Sequence, residues 1–247
     1  MRRTIPALYG ELADWWQTIS PTSDYADEAA FFDSLFAKAK VKSILELGAG
    51  GGNVAFYLKQ HYIMTLTDIA PGMVAMSKKQ NPECENVVGD MFSLRLGKLY
   101  DAVFIHDAIM YATTMDELRQ ALETAYVHTK LGGLVVVVPD CIRETFQEVT
   151  HYEGHDDGDK AVRYIQWISD PDPADTQFDY DFVIAIKEAG DLRSVVDRQV
   201  CGLFSRQQWL EALEQTGFSA SAVHDDSATD EEVERLELFI GTKKTRS

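Results

Sequence analysis

Four acids and a histidine stand where they could do chemistry: Glu46 at the head of Glu46-Leu47-Gly48-Ala49-Gly50-Gly51-Gly52, then Asp68, Asp90, His106 and Asp107. A glycine-rich loop lets backbone approach a ligand where side chains would block it. The dinucleotide-binding spacing needs a third glycine five positions after the first, and Asn53 occupies that place. Glu46 beside the loop would repel a pyrophosphate but attract an ammonium group. A carboxylate at Asp68 can accept from both hydroxyls of a ribose, bonds worth ~1.5 to 3 kcal/mol to a charged acceptor. Asp90 can accept from an adenine amino group while Met91 offers its backbone N–H. Each acid also has an ordinary use alone: Glu46 as a helix-dipole partner, Asp68 as a turn residue ahead of Pro71, Asp90 as an N-cap. All three beside one glycine loop favour a ligand with an amino-acid end, a ribose and a base, which is S-adenosylmethionine.

The elements that must position these residues alternate. Residues 43–47, 63–67, 86–88, 100–105 and 133–138 read as strands, and 52–60, 71–79 and 115–129 as helices between them. Apolar strands alternating with helices indicate a parallel sheet covered on both faces, with its ligand crevice at the carboxyl ends of the strands. Glu46, Asp68, Gly89-Asp90, His106-Asp107 and Pro139-Asp140 all follow strands. Two helices, 8–19 and 25–39, lead the chain, with Asp24 as a cap for the second. After residue 140 the alternation stops. Residues 163–168, 178–186 and 194–202 read as antiparallel strands, Asp170-Pro171-Asp172-Pro173 turning between the first two. The second of them puts Phe178, Tyr180, Phe182, Ile184 and Ile186 on one face. A helix over 205–215, stopped by Gly217, returns to strands at 218–224 and 236–241.

Composition narrows the partners. A chain of 247 residues with 45% hydrophobic residues builds a sizeable core. The net charge of -17 opposes phosphate backbones and so excludes a nucleic-acid partner. No run approaches the ~20 apolar residues of a membrane helix, and no apolar core follows Arg2 and Arg3 as a signal peptide requires. Cys84, Cys141 and Cys201, odd in number and scattered, fit reduced thiols in the cytoplasm. The run His151-Tyr152-Glu153-Gly154-His155-Asp156-Asp157 holds metal-ligand types without a spacing that converges them, so it reads as a solvated loop and no metal is expected.

The motifs resemble those of the class I S-adenosylmethionine-dependent methyltransferases. The stretch from Ile44 to Gly52 is similar to their first motif, Thr67-Asp68-Ile69-Ala70-Pro71-Gly72-Met73 to the ribose motif, and Gly89-Asp90-Met91 to the adenine motif. The resemblance implies a Rossmann-like, doubly wound α/β fold: a seven-stranded, mostly parallel sheet with an antiparallel final hairpin strand, here carrying a small antiparallel insertion after strand five. It implies one methyltransferase domain, divided into a helical cap (1–40), a cofactor-binding core (41–140), an insertion over the substrate site (141–204) and a closing helix and hairpin (205–247). It assigns S-adenosylmethionine, leaving as S-adenosylhomocysteine, to Glu46, Gly48, Ala49, Gly50, Asp68, Ile69, Met73, Asp90, Met91, Phe92 and His106. The region from Tyr9 to Trp16, Asp24-Tyr25-Ala26 and the insertion resemble aminosugar N-methyltransferases and related small-molecule enzymes. Tyr111 aligns loosely with a functional histidine of those enzymes.

Methyl transfer from a sulfonium is an in-line displacement, so the protein must hold the nucleophile near ~3 to 3.5 Å and exclude water. An amine must arrive neutral or lose its proton to a nearby base, and His106, Asp107 and Tyr111 are the catalytic candidates. Tyr9, Trp15, Tyr25, Arg163 and Trp167 are the substrate candidates, with Trp16 and Tyr164 beside them. Asp107-Ala108-Ile109-Met110 lacks the two prolines and aromatic residue typical of amide- and base-methylating enzymes, which argues against planar nitrogen. N-methylation of a small polar amine such as an aminosugar is the expected reaction. The alternatives are O-methylation of a hydroxyl or carboxylate, an NAD-linked oxidoreductase, and a cofactor-binding protein without turnover. A monomer or a homodimer is expected.

Overall fold

The protein, represented by a computed structural model, is described over residues 4–224 and 237–244. Arg2, Arg3 and Leu236 lie outside those residues. The leading segment forms a 3-10 turn (Ala13–Trp15), a short α1 (Trp16–Ile19), a second 3-10 turn (Thr22–Tyr25) and α2 (Ala26–Lys38). The continuous helix expected over 8–19 does not form. The amides of Ala7 and Leu8 are spent on the Asp197 carboxylate (3.1 and 2.9 Å), so the chain enters as a strap before any helix begins. Asp24 does not cap α2, whose N-cap is Tyr25 and makes no side-chain capping hydrogen bond.

From there the chain alternates as expected: β1 (Ser43–Leu47), α3 (Asn53–Leu58), β2 (Ile63–Asp68), α4 (Pro71–Gln80), β3 (Glu85–Val88), β4 (Tyr100–His106), a 3-10 turn (Ala108–Tyr111), α5 (Met115–His128) and β5 (Thr129–Val138). After the insertion come α6 (Arg206–Thr216), β10 (Phe218–His224) and β11 (Glu237–Lys243). These strands make one seven-stranded sheet in the order β10-β11-β5-β4-β1-β2-β3. The pairs among β1 to β5 are parallel, and β11 runs antiparallel to both its neighbours. Period two sends Leu45, Leu47, Val103 and Ile105 to the face covered by α5 and α6, and Ile44, Ala102 and Phe104 to the face covered by α2 and α3. Glu46 and His106 follow the second set. Gly217 stops α6 as read, closing it in the left-handed conformation, and at the other end Ser205 and Gln208 form a capping box.

The insertion is a separate four-stranded antiparallel sheet, β6 (Val149–Asp157), β7 (Lys160–Ser169), β8 (Gln177–Glu188) and β9 (Asp191–Gly202), in chain order. β6 corrects the sequence reading. The run from His151 to Asp157 is an edge strand paired with β7, not a solvated loop. Its polar residues fit an edge whose outer face meets water. One face of this sheet packs Val162, Phe182, Ile184 and Ile186 against Leu8, Leu12, Trp15 and Ile19 of the leading segment.

Candidate functional site

Between the carboxyl ends of β1, β2 and β4, the leading strap and the insertion lies a cavity of about 740 Å³. Its floor starts with the loop after β1. Gly48 has φ +77, and a side chain there would collide with the Cβ of Ala108, so only glycine lets β1 turn beneath the loop after β4. Gly51 passes directly under the Trp16 indole, which a side chain would displace. Asn53, where a dinucleotide fold would carry glycine, is buried and used structurally. Its amide donates to the Ser20 carbonyl (3.0 Å) and accepts from Gln17 (3.1 Å), tying α3 to the strap.

Glu46, Asp68 and Asp90 are brought together around this floor. Glu46 is 3% exposed, and its Oε2 is buried without a hydrogen-bond partner. Burial raises its carboxyl to about 8, against the pull of His106 and with help from Asp68 and Asp107. Asp68 accepts from the amides of Gly50 (2.9 Å) and Ala70 (2.8 Å), which fix both oxygens at the end of β2. Burial still lifts its pKa above the ordinary value. Asp90 accepts from the Phe92 amide (2.9 Å). Gly48, Ala49, Gly50, Ile69, Met91 and Phe92 also line the cavity. Met73 does not. It is fully buried with Ala13 and Ala70 beneath the leading segment.

The wall after β4 holds a charged cluster. Glu28, Phe32 and Phe36 form an i, i+4, i+8 stripe of α2. The two phenyl rings pack on Phe104, and Glu28 reaches the next residue on that face, His106 (Oε1 to Nε2, 2.9 Å). His106 Nε2 also lies 3.2 Å from Asp107, and its ring stacks on Phe104. Burial opposes a charged ring here, but the carboxylates of Asp107, Glu28 and Asp140 outweigh it and carry the His106 pKa up to about 10. Asp107 takes φ +47, a strained conformation for a residue with a Cβ. Its carboxyl neighbours that of Asp140, two residues past the end of β5. Burial raises both, Asp140 well above the carboxylate range, where the neighbouring Asp107 charge adds to it.

Tyr111 donates to Gln199 Oε1 (2.5 Å) and lies 3.2 Å from the Tyr9 hydroxyl. Gln199 donates in turn to Asp197 (2.9 Å), which holds the strap. This chain joins the leading segment, the loop after β4 and β9 over one opening. Burial pushes the Tyr9 and Tyr111 hydroxyls well above their usual range, so both stay protonated.

Of the substrate candidates, Tyr9 and Tyr25 line the cavity and Trp15, Arg163 and Trp167 do not. Period two decides the last two. On β7 the inward residues are Val162, Tyr164 and Gln166, whereas Arg163 pairs outside with Asp156 (3.0 Å) and Trp167 is 46% exposed. Trp15 is buried in the packing under the far end of the insertion, with the Lys160 ammonium over its ring. Sequence reasoning missed Glu28, Gln166 and Gln199. It noted Asp140 as a strand-end residue without placing it in the site. Trp16 and Tyr164, considered beside the tryptophans, do line the cavity. Among the described residues no cluster of His, Cys, Asp or Glu could hold a metal ion, and no helix is long and apolar enough to cross a membrane.

The family described as "Methyltransferase domain" matches residues 44–133, the stretch that carries the floor. The chain is 29% identical over 129 residues to dTDP-3-amino-3,4,6-trideoxy-alpha-D-glucopyranose N,N-dimethyltransferase of Streptomyces venezuelae, a match covering 51% of this chain and 54% of the relative. That match spans about half of the relative's length. It is 25% identical over 217 residues to dTDP-3-amino-3,6-dideoxy-alpha-D-glucopyranose N,N-dimethyltransferase of Streptomyces fradiae, covering 85% of this chain and 84% of the relative. The fold is shared with a sugar N-methyltransferase from Streptoalloteichus sp ATCC 53650, at TM-score 0.81 and 20% identity over 99% of this chain and 96% of that one. In its matched domain, its relatives and its sheet order the chain is similar to the class I S-adenosylmethionine-dependent methyltransferases.

Proposed function

We propose that the protein transfers a methyl group from S-adenosylmethionine to the nitrogen of a small polar amine, an aminosugar by preference. The observation that carries this reading is a pair of buried, unpartnered polar atoms beside the glycine loop: Glu46 Oε2, an acceptor, and Trp16 Nε1, a donor. A zwitterionic amino-acid end supplies the complement of both, its ammonium for Glu46 and its carboxylate for Trp16. Asp68 would take the ribose hydroxyls, and Asp90 with the Met91 and Phe92 backbone would take the base. When bound, the cofactor supplies an electrophilic methyl group on a sulfonium.

This chain's own residues then handle the amine. Clamped between Glu28 and Asp107, His106 is an imidazolium near neutral pH and serves as a positioning residue that holds Asp107 in its strained conformation. The Asp107–Asp140 pair lies beside it. Its raised affinity for protons suits it to take the proton that an ammonium must lose before its lone pair can attack. Tyr111, protonated and donating to Gln199, and Tyr9, whose hydroxyl meets that of Tyr111, hold the strap closed and keep water out. The relatives named as dimethyltransferases of amino-dideoxy and amino-trideoxy sugars support a sugar amine as acceptor. The cysteines form no disulfide, in keeping with a reaction in the cytoplasm.

The test is transfer of a labelled methyl group to a panel of hexosamines and to matched hexoses bearing hydroxyl in place of amine. Label should appear on nitrogen alone. Transfer to the hydroxyl compounds at equal rate, or none to any amine, would refute the reading.

A further inference from the structure

The acceptor end of the cavity has a sign. Besides His106, the described residues lining the whole cavity include one cation, Arg198, against Glu46, Asp68, Asp90, Asp107, Asp140 and Asp197. The first three face the proposed cofactor, and Asp197 is occupied by the strap amides. That leaves Asp107 and Asp140 toward the acceptor. The roof above them is neutral: Tyr164, Gln166, Tyr180 and Phe182. Arg198 is no free anchor, because its guanidinium is exposed and turned to Asp181 on the neighbouring strand (3.1 Å). The other arginines on the strands of the insertion are likewise paired outside, Arg163 with Asp156 (3.0 Å) and Arg193 with Glu11 (2.7 Å). Proteins bind diphosphates with unpaired arginine or lysine and with backbone amides; among the described residues of the cavity a diphosphate would meet carboxylates and would have to break an ion pair to find an arginine.

We propose that the acceptor is a phosphate-free cationic amine, a free or glycosidically linked aminosugar, rather than a sugar carried on a nucleoside diphosphate. This rests on the amine-methylation reading above and departs from the dTDP-linked sugars in the relatives' names. Aromatic faces and a carboxylate pair recognise such a cation together: the tyrosines pack on the ring and the pair binds the ammonium.

The experiment uses the full chain saturated with S-adenosylhomocysteine and three calorimetric titrants: dTDP, the methyl glycoside of a 3-amino-3-deoxyhexose, and the same aminosugar on dTDP. Turnover of the two sugars is measured with S-adenosylmethionine. The methyl glycoside should bind and should exceed the dTDP sugar at least about tenfold in kcat/KM, and dTDP alone should give no heat at about 1 mM. Gln166→Arg, which places a cation in the roof, should gain dTDP binding that the parent lacks. dTDP binding below about 0.1 mM, a preference for the dTDP sugar, or failure of the glycoside to bind would each overturn the proposal. Glycoside binding without dTDP binding supports it even where no methyl group moves, an outcome that would sink the amine-methylation reading alone.

Discussion

The two halves of the cavity are built by different means. The floor is backbone: a glycine loop and strand ends from one parallel sheet, with Asp68 held by two amides and Asp90 by a third. The roof is side chain: alternate residues of long antiparallel strands, joined to the floor through the hydrogen bonds of Asp197, Gln199 and Tyr111. A floor made of backbone tolerates little change and suits a fixed ligand. A roof made of alternating side chains can change its occupant residue by residue without disturbing the sheet beneath. The contrast predicts that floor substitutions alter cofactor affinity, roof substitutions alter acceptor KM, and the cluster between them alters the chemical step.

The largest effect is expected at the junction. Asp140→Asn should lower kcat/KM for the acceptor about 10²- to 10³-fold, the usual worth of a positioned base, while leaving S-adenosylhomocysteine affinity within about threefold. Steady-state kinetics beside calorimetry separates the two, and equal losses in both would erase the boundary between floor and acceptor end.

Glu46→Gln comes next, with an expected loss of about 30- to 100-fold in cofactor affinity, since it unpairs a buried ammonium. Its pH dependence is the sharper measurement. With the free carboxyl at about 8, binding must ionise Glu46, so affinity should climb up to about tenfold per pH unit toward pH 8 and level off above it. The variant should show no such slope. Stability should move the other way. A buried acid whose folded pKa lies above its ordinary value contributes stability that fades as pH rises from its unfolded pKa through about 8, so the ligand-free variant should melt higher than the parent at pH 8.

These positions also show what the sequence could tell. The floor was legible because buried parallel strands leave apolar runs and their ends leave acids, so Glu46, Asp68 and Asp90 could be named from spacing alone. The roof was only half legible. Aromatic type drew attention to Trp167 and charge to Arg163, but parity is what aims a side chain, and Val162 with its even-numbered neighbours held that information. Gln166 lies opposite Phe182 in the ladder, and the Phe178 to Ile186 face had already been identified as apolar. β6 was hidden because both its faces are polar, which removes the alternation that marks a strand. Glu28 was hidden by distance: its four-residue spacing from Phe32 places it on the core stripe, but only the packing of α2 on β4 brings it to His106.

Parity gives the third prediction. Tyr164→Ala should raise acceptor KM about tenfold with cofactor affinity unchanged, and Trp167→Ala, three residues along the same strand on the other face, should change neither by more than about twofold. Equal effects from the two would mean that the sheet does not present the face seen here.

The smallest effect tests the join through the fold itself. His106→Gln removes an imidazolium whose folded pKa, near 10, lies far above its ordinary value. The native state therefore holds that proton more tightly than the unfolded chain. The stabilisation is complete below about pH 6.5 and disappears as pH rises through about 10. The parent should thus melt a few degrees above the variant at pH 6, each kcal/mol being worth about 2 to 4 °C in a domain of this size, and the gap should close by pH 10. A gap constant across that range would mean that His106 acts by packing on Phe104 alone. Glu28, Asp107 and Asp140 would then keep their places without it, and Asp107 would owe its strained backbone to the turn rather than to the charge beside it.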